Sequence, residues 1–276
     1  MYVMKFFSVC VISILLLGCA QSFPRPDGSC CIDDLSGNAI FEKSFIAHGG
    51  QHLKSLKDLS MEIDGDWKYL ITRIQPLVTD SGYRVSSREV VFPELNTYHA
   101  SFDGPLGNKW VLRGPDYTEV YYNGEPSDDI DILQSTALTA DSFFIFSLGP
   151  MGLPHLDGNF VRLPDAFERG RKYFRIYTEM VPGIGESERD EIVLWIDPTT
   201  WLTWRVHITL EGYATTKGAH VDVTFEQYVK HDKYIFPSVF FERVLGPISI
   251  DAHEWRSFNH QLNQGISPES LTRPSR

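Results

Sequence analysis

The chain has 276 residues, with 25 Lys and Arg against 36 Asp and Glu, a formal charge of −11. An acidic chain without a basic tract lacks the counter-charge that phosphate contacts require, which argues against nucleic acid as a partner. The length allows one large domain or two small ones, and 42% hydrophobic residues are enough for a substantial core. An aromatic content of 13% favours strands over an all-helical fold.

Residues 1–18 carry one positive charge, Lys5, ahead of an apolar run from Phe6 to Leu17. That run is shorter than the roughly 20 residues of a membrane-spanning helix and has the length of a signal-peptide core. It ends in Leu16-Leu17-Gly18-Cys19, which resembles the bacterial lipobox. The resemblance implies cleavage before Cys19, lipid attachment at Cys19 and a place in the bacterial cell envelope. Two or more acyl chains anchor stably, at roughly 0.8 kcal/mol per buried CH₂. Ala20 stands where an Asp would tend to retain the lipoprotein in the inner membrane, so the expected address is the outer membrane, with the domain facing the periplasm.

Residues 19–37 read as a lipidated tether, because Ser22, Pro24, Pro26, Gly28 and Ser29 show no hydrophobic period. Cys30 and Cys31 read as two thiols within it: a metal site wants further ligands at tetrahedral spacing, and a bridge between neighbours is strained. The folded domain is expected over 38–276. It opens with a helix that gathers Ile40, Phe41, Phe45 and Ala47 on one face and stops at His48-Gly49-Gly50. A short helical piece over Gln51 to Leu56 leads into a first strand, Leu59 to Trp67.

Most of the rest is predicted strand. Val221, Val223 and Phe225 alternate with Asp222, Thr224 and Glu226, and Trp204, Val206 and Ile208 alternate with Arg205, His207 and Thr209. This is the period of a sheet with one dry and one wet face. About ten strands with short turns, Asn123-Gly124 and Asp197-Pro198-Thr199-Thr200 among them, predict a single antiparallel sheet. Asp128 to Leu148 interrupts the strands; acidic at its start and apolar at its end, it is predicted as a helix or helix pair covering the sheet. The class is mainly β (α+β).

Catalytic motifs are missing: the chain has no G-x-S-x-G elbow and no phosphate-binding G-x-x-x-x-G-K-[ST]. His48 and His52 stand four apart, but Gly49-Gly50 breaks the helix between them, so His48 reads as an exposed cap rather than a metal ligand. Asp128, Asp129 and Asp131 miss calcium-loop spacing and read as a solvated helix start, and Asp64-Gly65-Asp66 as a strand-end turn. No catalytic residue, metal or cofactor is assigned, and the protein is expected not to be an enzyme. A hydrolase with an unmarked site would need a His within reach of a Ser or carboxylate in a pocket.

Ala47-His48-Gly49-Gly50 and the strand ending Gly65-Asp66-Trp67 resemble the opening of the LolA/LolB-like superfamily, the outer-membrane lipoprotein-sorting-like domains. Phe143 to Leu148 with Gly152-Leu153, the stretch Ile192 to Thr200, and Phe225 to Tyr228 with Tyr234 to Pro237 are similar to its later segments. The likeness runs from Asn38 to Leu262. It implies an unclosed half-barrel, helices covering its concave face, and a cavity for acyl chains or another hydrophobic ligand, without a cofactor. The cavity residues expected on that basis are Trp67, Phe144, Phe146, Trp204, Val206, Ile208, Val221, Val223 and Phe225. The alternative is a scaffold that uses the same sheet to contact an envelope protein, its cavity filled by its own side chains. A void below about 300 Å³, the lower end of ligand pockets, would favour the scaffold.

Overall fold

The computed structural model describes residues 20–28, 35–153 and 159–274. The signal segment, Cys19, Cys30 and Cys31 lie outside the described residues.

Helix α1 (Gly37–Ala47) starts where the Ser36 hydroxyl accepts from the Ala39 amide, and it stops at Gly49, whose φ of 92° a side chain would strain. Strands β1 (Leu59–Trp67), β2 (Ser86–Phe92), β3 (Thr97–Gly104), β4 (Gly107–Gly114), β5 (Tyr117–Tyr122) and the two-residue β6 (Glu125–Pro126) form a meander running out to one edge. Two short helices, α2 (Tyr69–Ile74) and α3 (Pro76–Thr79), sit between β1 and β2. A single 19-residue helix, α4 (Ile130–Leu148), then begins at Asp129, whose carboxylate accepts from the amides of Asp131 and Ile132. Beyond it, β7 (Val161–Glu168), β8 (Arg171–Met180), β9 (Asp190–Ile196), β10 (Thr203–Thr209), β11 (His220–His231), β12 (Tyr234–Gly246) and β13 (Ile250–Leu262) return from the far edge. Last in the chain, β13 pairs antiparallel with β1 and joins the two meanders into one 13-stranded sheet with open edges at β6 and β7.

Thirteen strands replace the expected ten or so. The unforeseen ones are the edges: β6 is two residues long, and β7 carries Pro164 and a register shift between Leu163 and Ala166 that erases its alternation. Proline is tolerated at an edge, where its missing N–H breaks no ladder. Asp64-Gly65-Asp66 lies inside β1 rather than at a turn. Gly65 faces Trp255 across the pair, and a Cβ there would come within 2.7 Å of both Trp255 Cβ and His253 Nε2.

The inner face holds the main core: Leu59, Met61 and Ile63 from β1, Val206 and Ile208 from β10, Val221, Val223 and Phe225 from β11, and Phe143 to Phe146 from α4. Two buried ion-pair clusters fasten the helices over this face. Arg113 donates to both Asp141 oxygens at 3.1 Å and to the Gly185 carbonyl, tying α4 to β4. Lys109 pairs with Asp80 at 2.8 Å and donates to Thr136, and Tyr122 donates to Asp80 at 2.6 Å, tying the end of α3 to the sheet and α4.

The outer face is not simply wet. Residues 20–28, expected to be a free tether, lie against it: the Gln21 amide donates to the Leu245 carbonyl, and Phe23 packs on His207 with ring centroids 4.7 Å apart. Phe23 also joins Leu163, Tyr177 and Val193 in a second, smaller apolar cluster. Arg25 pairs with Glu191.

Candidate ligand cavity

The concave side retains a cavity of about 240 Å³ between α4, the α2–α3 segment and strands β11 to β13. Trp67, Phe143 and Phe146 face Val221, Val244 and Ala252 across it. At the rim, Ile74 and Pro247 line the cavity and are also exposed, beside Ile248 and Lys217. Gln75 closes one side through a reciprocal pair with Thr215, donating to its carbonyl and accepting from its hydroxyl.

Of the nine residues expected at the cavity, the structure brings Trp67, Phe146 and Val221 to its lining. Phe144, Val206, Ile208, Val223 and Phe225 are buried in the filled core beside it. Trp204 is on the other side of the sheet. The register between β9 and β10 shifts between Thr203 and Arg205, and Trp204 takes up the extra residue of that bulge. It stacks on the outward-facing Tyr173 at 4.3 Å, close to Trp195 and Arg205. Strict alternation carried across a bulge misplaces everything on the far side of it. The sequence reading also missed the α2–α3 wall, whose two helices of six and four residues are too short to show a period.

Polar side chains in the lining are mostly spent locally. Thr79, Thr139 and Ser142 each donate to a carbonyl three or four residues back, and Thr216 donates to Leu210 and Tyr213. Glu242 differs: it accepts a hydrogen bond from no described residue, and burial pushes its carboxyl up to about 7. Behind Trp67 and Phe143 lies a polar island. Arg84 donates to the Val78 carbonyl and lies 5.0 to 5.1 Å from the ring centres of Trp67, Phe102 and Phe143. Glu89 accepts from Ser87 at 2.8 Å, and burial raises it too to about 7. A larger depression, of about 720 Å³, is more open; Val239, Phe240, Phe241 and Trp255 line it beside the Arg169–Glu226 and Arg256–Asp64 pairs.

His48 is not an exposed cap. It is buried between α1 and the sheet, Nδ1 donating to the Ile235 carbonyl at 2.8 Å and Nε2 accepting from the Thr203 amide at 3.1 Å, so burial holds it neutral, down to about 4. Its sequence neighbours, apolar before it and glycine after it, carry no sign of that partner. No group of three or more His, Cys, Asp or Glu is gathered for a metal among the described residues, and no described helix is long and apolar enough to cross a membrane. Among the described residues Ser257 lies 3.0 Å from His260 and Ser101 3.3 Å from His99, but none of the four lines the cavity.

These buried groups set opposite slopes in pH. Glu89 and Glu242 have folded values near 7, above the ordinary carboxylate, so stability falls as pH rises from about 4.5 through 7. His48, His99 and His260 sit near 4 and His207 near 3, below the ordinary imidazole, so stability falls as pH drops from about 6.5 toward 4. The four histidines outweigh the two glutamates, so the expected thermal midpoint rises from pH 4 and levels off near pH 7. A Glu89→Gln, Glu242→Gln double variant should climb more steeply between pH 5 and 7, which calorimetry at pH 5 to 8 will read.

The fold is similar to that of a LolA superfamily protein. That structure, from Nitrosomonas europaea, matches at TM-score 0.49 and 11% identity, over 86% of this chain and 98% of that one. A DUF1329 family protein from Desulfovibrio piger matches at TM-score 0.41 and 11% identity, covering 84% and 95%. The lipoprotein LppX from Mycobacterium tuberculosis matches at TM-score 0.29 and 11% identity, covering 84% and 99%. No family model and no curated protein matches the chain. The likenesses concern the path of the backbone and leave the ligand to be argued from the cavity.

Proposed function

We propose that the protein is a non-enzymatic lipoprotein of the bacterial envelope, anchored through acylated Cys19 in the outer membrane and facing the periplasm. It holds an acyl chain or similar hydrophobic ligand between the sheet and its helical cover. The supporting observation is the cavity itself, lined chiefly by apolar side chains and opening between Ile74 and Pro247. A space of about 240 Å³ suits part of one chain rather than a whole multi-chain lipid. That same volume, below the ~300 Å³ of drug-sized pockets, favours the second reading, a scaffold that contacts an envelope protein through this sheet.

Native mass spectrometry of the chain, purified without detergent and offered fatty acids, separates the two. The expected result is one bound acyl chain per protein; a spectrum that stays ligand-free at saturating fatty acid selects the scaffold. The same spectra read the anchor, since lipid mass at the N-terminus should vanish in Cys19→Ser. Membrane fractionation of a processed Cys19→Ser chain would refute the anchor.

A further inference from the structure

Among the polar side chains that line the cavity, the Trp67 indole N–H is without a partner among the described residues, and Glu242, half-buried, is the carboxylate that accepts from no described residue. Its strand position gives the depth: Glu242 is four residues before Gly246, the end of β12, so its backbone lies about 13 Å inside the β12–β13 hairpin at ~3.3 Å per residue. In the register it faces Val223 on β11 and His253 on β13. Neither supplies a donor to it. Val223 is apolar, and the His253 ring is stacked on Trp67 at 3.8 Å and 2°. The outer end of the cavity is different in kind, with exposed Ile74 and Pro247 at a mouth that leads to solvent.

We propose that the cavity takes a single-chain amphiphile head first, with an amine or other hydrogen-bond donor of its head group on the Glu242 carboxyl and its chain running out between Ile74 and Pro247. This deepens the ligand-binding reading above and rests on it. An apolar wall alone would accept any chain. A carboxyl with no protein partner, sunk in that wall, discriminates by head group, because a donor satisfies it and an acceptor does not. A protonated amine gains most, since it pairs with the ionised form in a site shielded from water.

The charged and titratable groups around Glu242 fit this sign. Arg84, held on the far side of Trp67 and Phe143 by Val78 and three rings, favours the ionised carboxyl at a distance, while Asp222, on the outer face of β11, opposes it. Burial keeps His253 neutral, so it contributes no competing charge. Lys217 stands at the rim, and α4 offers only Thr139 and Ser142, whose hydroxyls are already spent. With Glu242 near 7, amine binding should strengthen from pH 6 to 8 and level off above that.

The test is isothermal titration of the full chain with dodecylamine, dodecanol and dodecanoic acid, each below its micellar concentration, at pH 6, 7 and 8. The expected order at pH 8 is amine, then alcohol, then acid, with the amine at least tenfold ahead of the acid. Glu242→Gln should collapse that preference to under threefold and abolish its pH dependence while still binding dodecanol. Its circular dichroism and unfolding midpoint report that it folds. Acid binding as tightly as amine, or an amine preference unchanged in Glu242→Gln, overturns the head-group assignment and leaves chain binding intact. Failure of all three ligands to bind overturns both.

Discussion

Asp222→Ala should lose about 3 to 5 kcal/mol of stability, the usual cost of breaking a buried ion pair from one side. The Asp222 side chain is 0% exposed although it lies on the outer face of β11. Arg243 grips it with two hydrogen bonds of 3.0 and 2.5 Å, and Arg205 approaches the same carboxylate at 3.2 Å. Arg205 is itself 6% exposed, wedged between the rings of Trp195 and Trp204 at 4.3 and 4.6 Å. Removing the carboxylate leaves two guanidinium groups side by side, with Glu168 the remaining acid on Arg205. Urea denaturation will measure the loss, and Asp222→Asn, which keeps the shape and removes the charge, should recover only a small part. A loss below 1 kcal/mol would mean that this face is as wet as its alternation suggests.

Trp255→Ala is expected to cost a similar 3 to 5 kcal/mol, the range for deleting a large ring from a core. Trp255 sits where the sheet meets its helical cover. Its ring stacks on Phe240 at 4.8 Å and 5°, and it lies 5.2 Å from Phe143 and 6.0 Å from Phe146 of α4. The facing residue on β1 is Gly65, so no neighbouring side chain from that strand is placed to fill the hole. Because Phe143 and Phe146 also line the cavity, the variant should lose ligand retention along with stability. Trp255→Phe, which keeps most of the ring packing, should give back more than half of both. Thermal unfolding and ligand titration on the same samples will show whether the two losses move together.

The antiparallel sheet and its covering helix were legible because both announce themselves in local pattern. Leu59 to Trp67 was predicted with the observed ends, and the Asp197 turn forms as its sequence suggests, with Oδ1 accepting from the amides of Thr199 and Thr200. The site was legible only in outline. Trp67, Phe146 and Val221 were foreseen because they are large or apolar at positions that must face inward. Glu242 was not, since one acid at an inward position of a strand looks like a slip of register until its neighbours are placed. The α2–α3 wall has no period to read. Asp222 was misread for a different reason. Alternation tells which face a residue is on, and here that face is dry because Phe23 and the segment around it cover part of it and Trp195, Trp204 and two arginines fill the rest.

The pairing of β1 with β13 also governs how such a chain is assembled. Leu59 lies opposite Leu262, a separation of roughly two hundred residues, whereas every other pair of neighbouring strands is consecutive in the chain. Each meander can zip up from hairpins as it becomes available, but the seam between them must wait for the last strand to arrive. Contacts of such long sequence separation carry the largest loop-closure cost and slow folding. A chain delivered N-terminus first therefore exposes the edge of β1, and the apolar face beneath it, until nearly all of its residues are present. Its vulnerability to aggregation is concentrated in that interval, at one strand edge, and ends when Trp255 settles over Gly65.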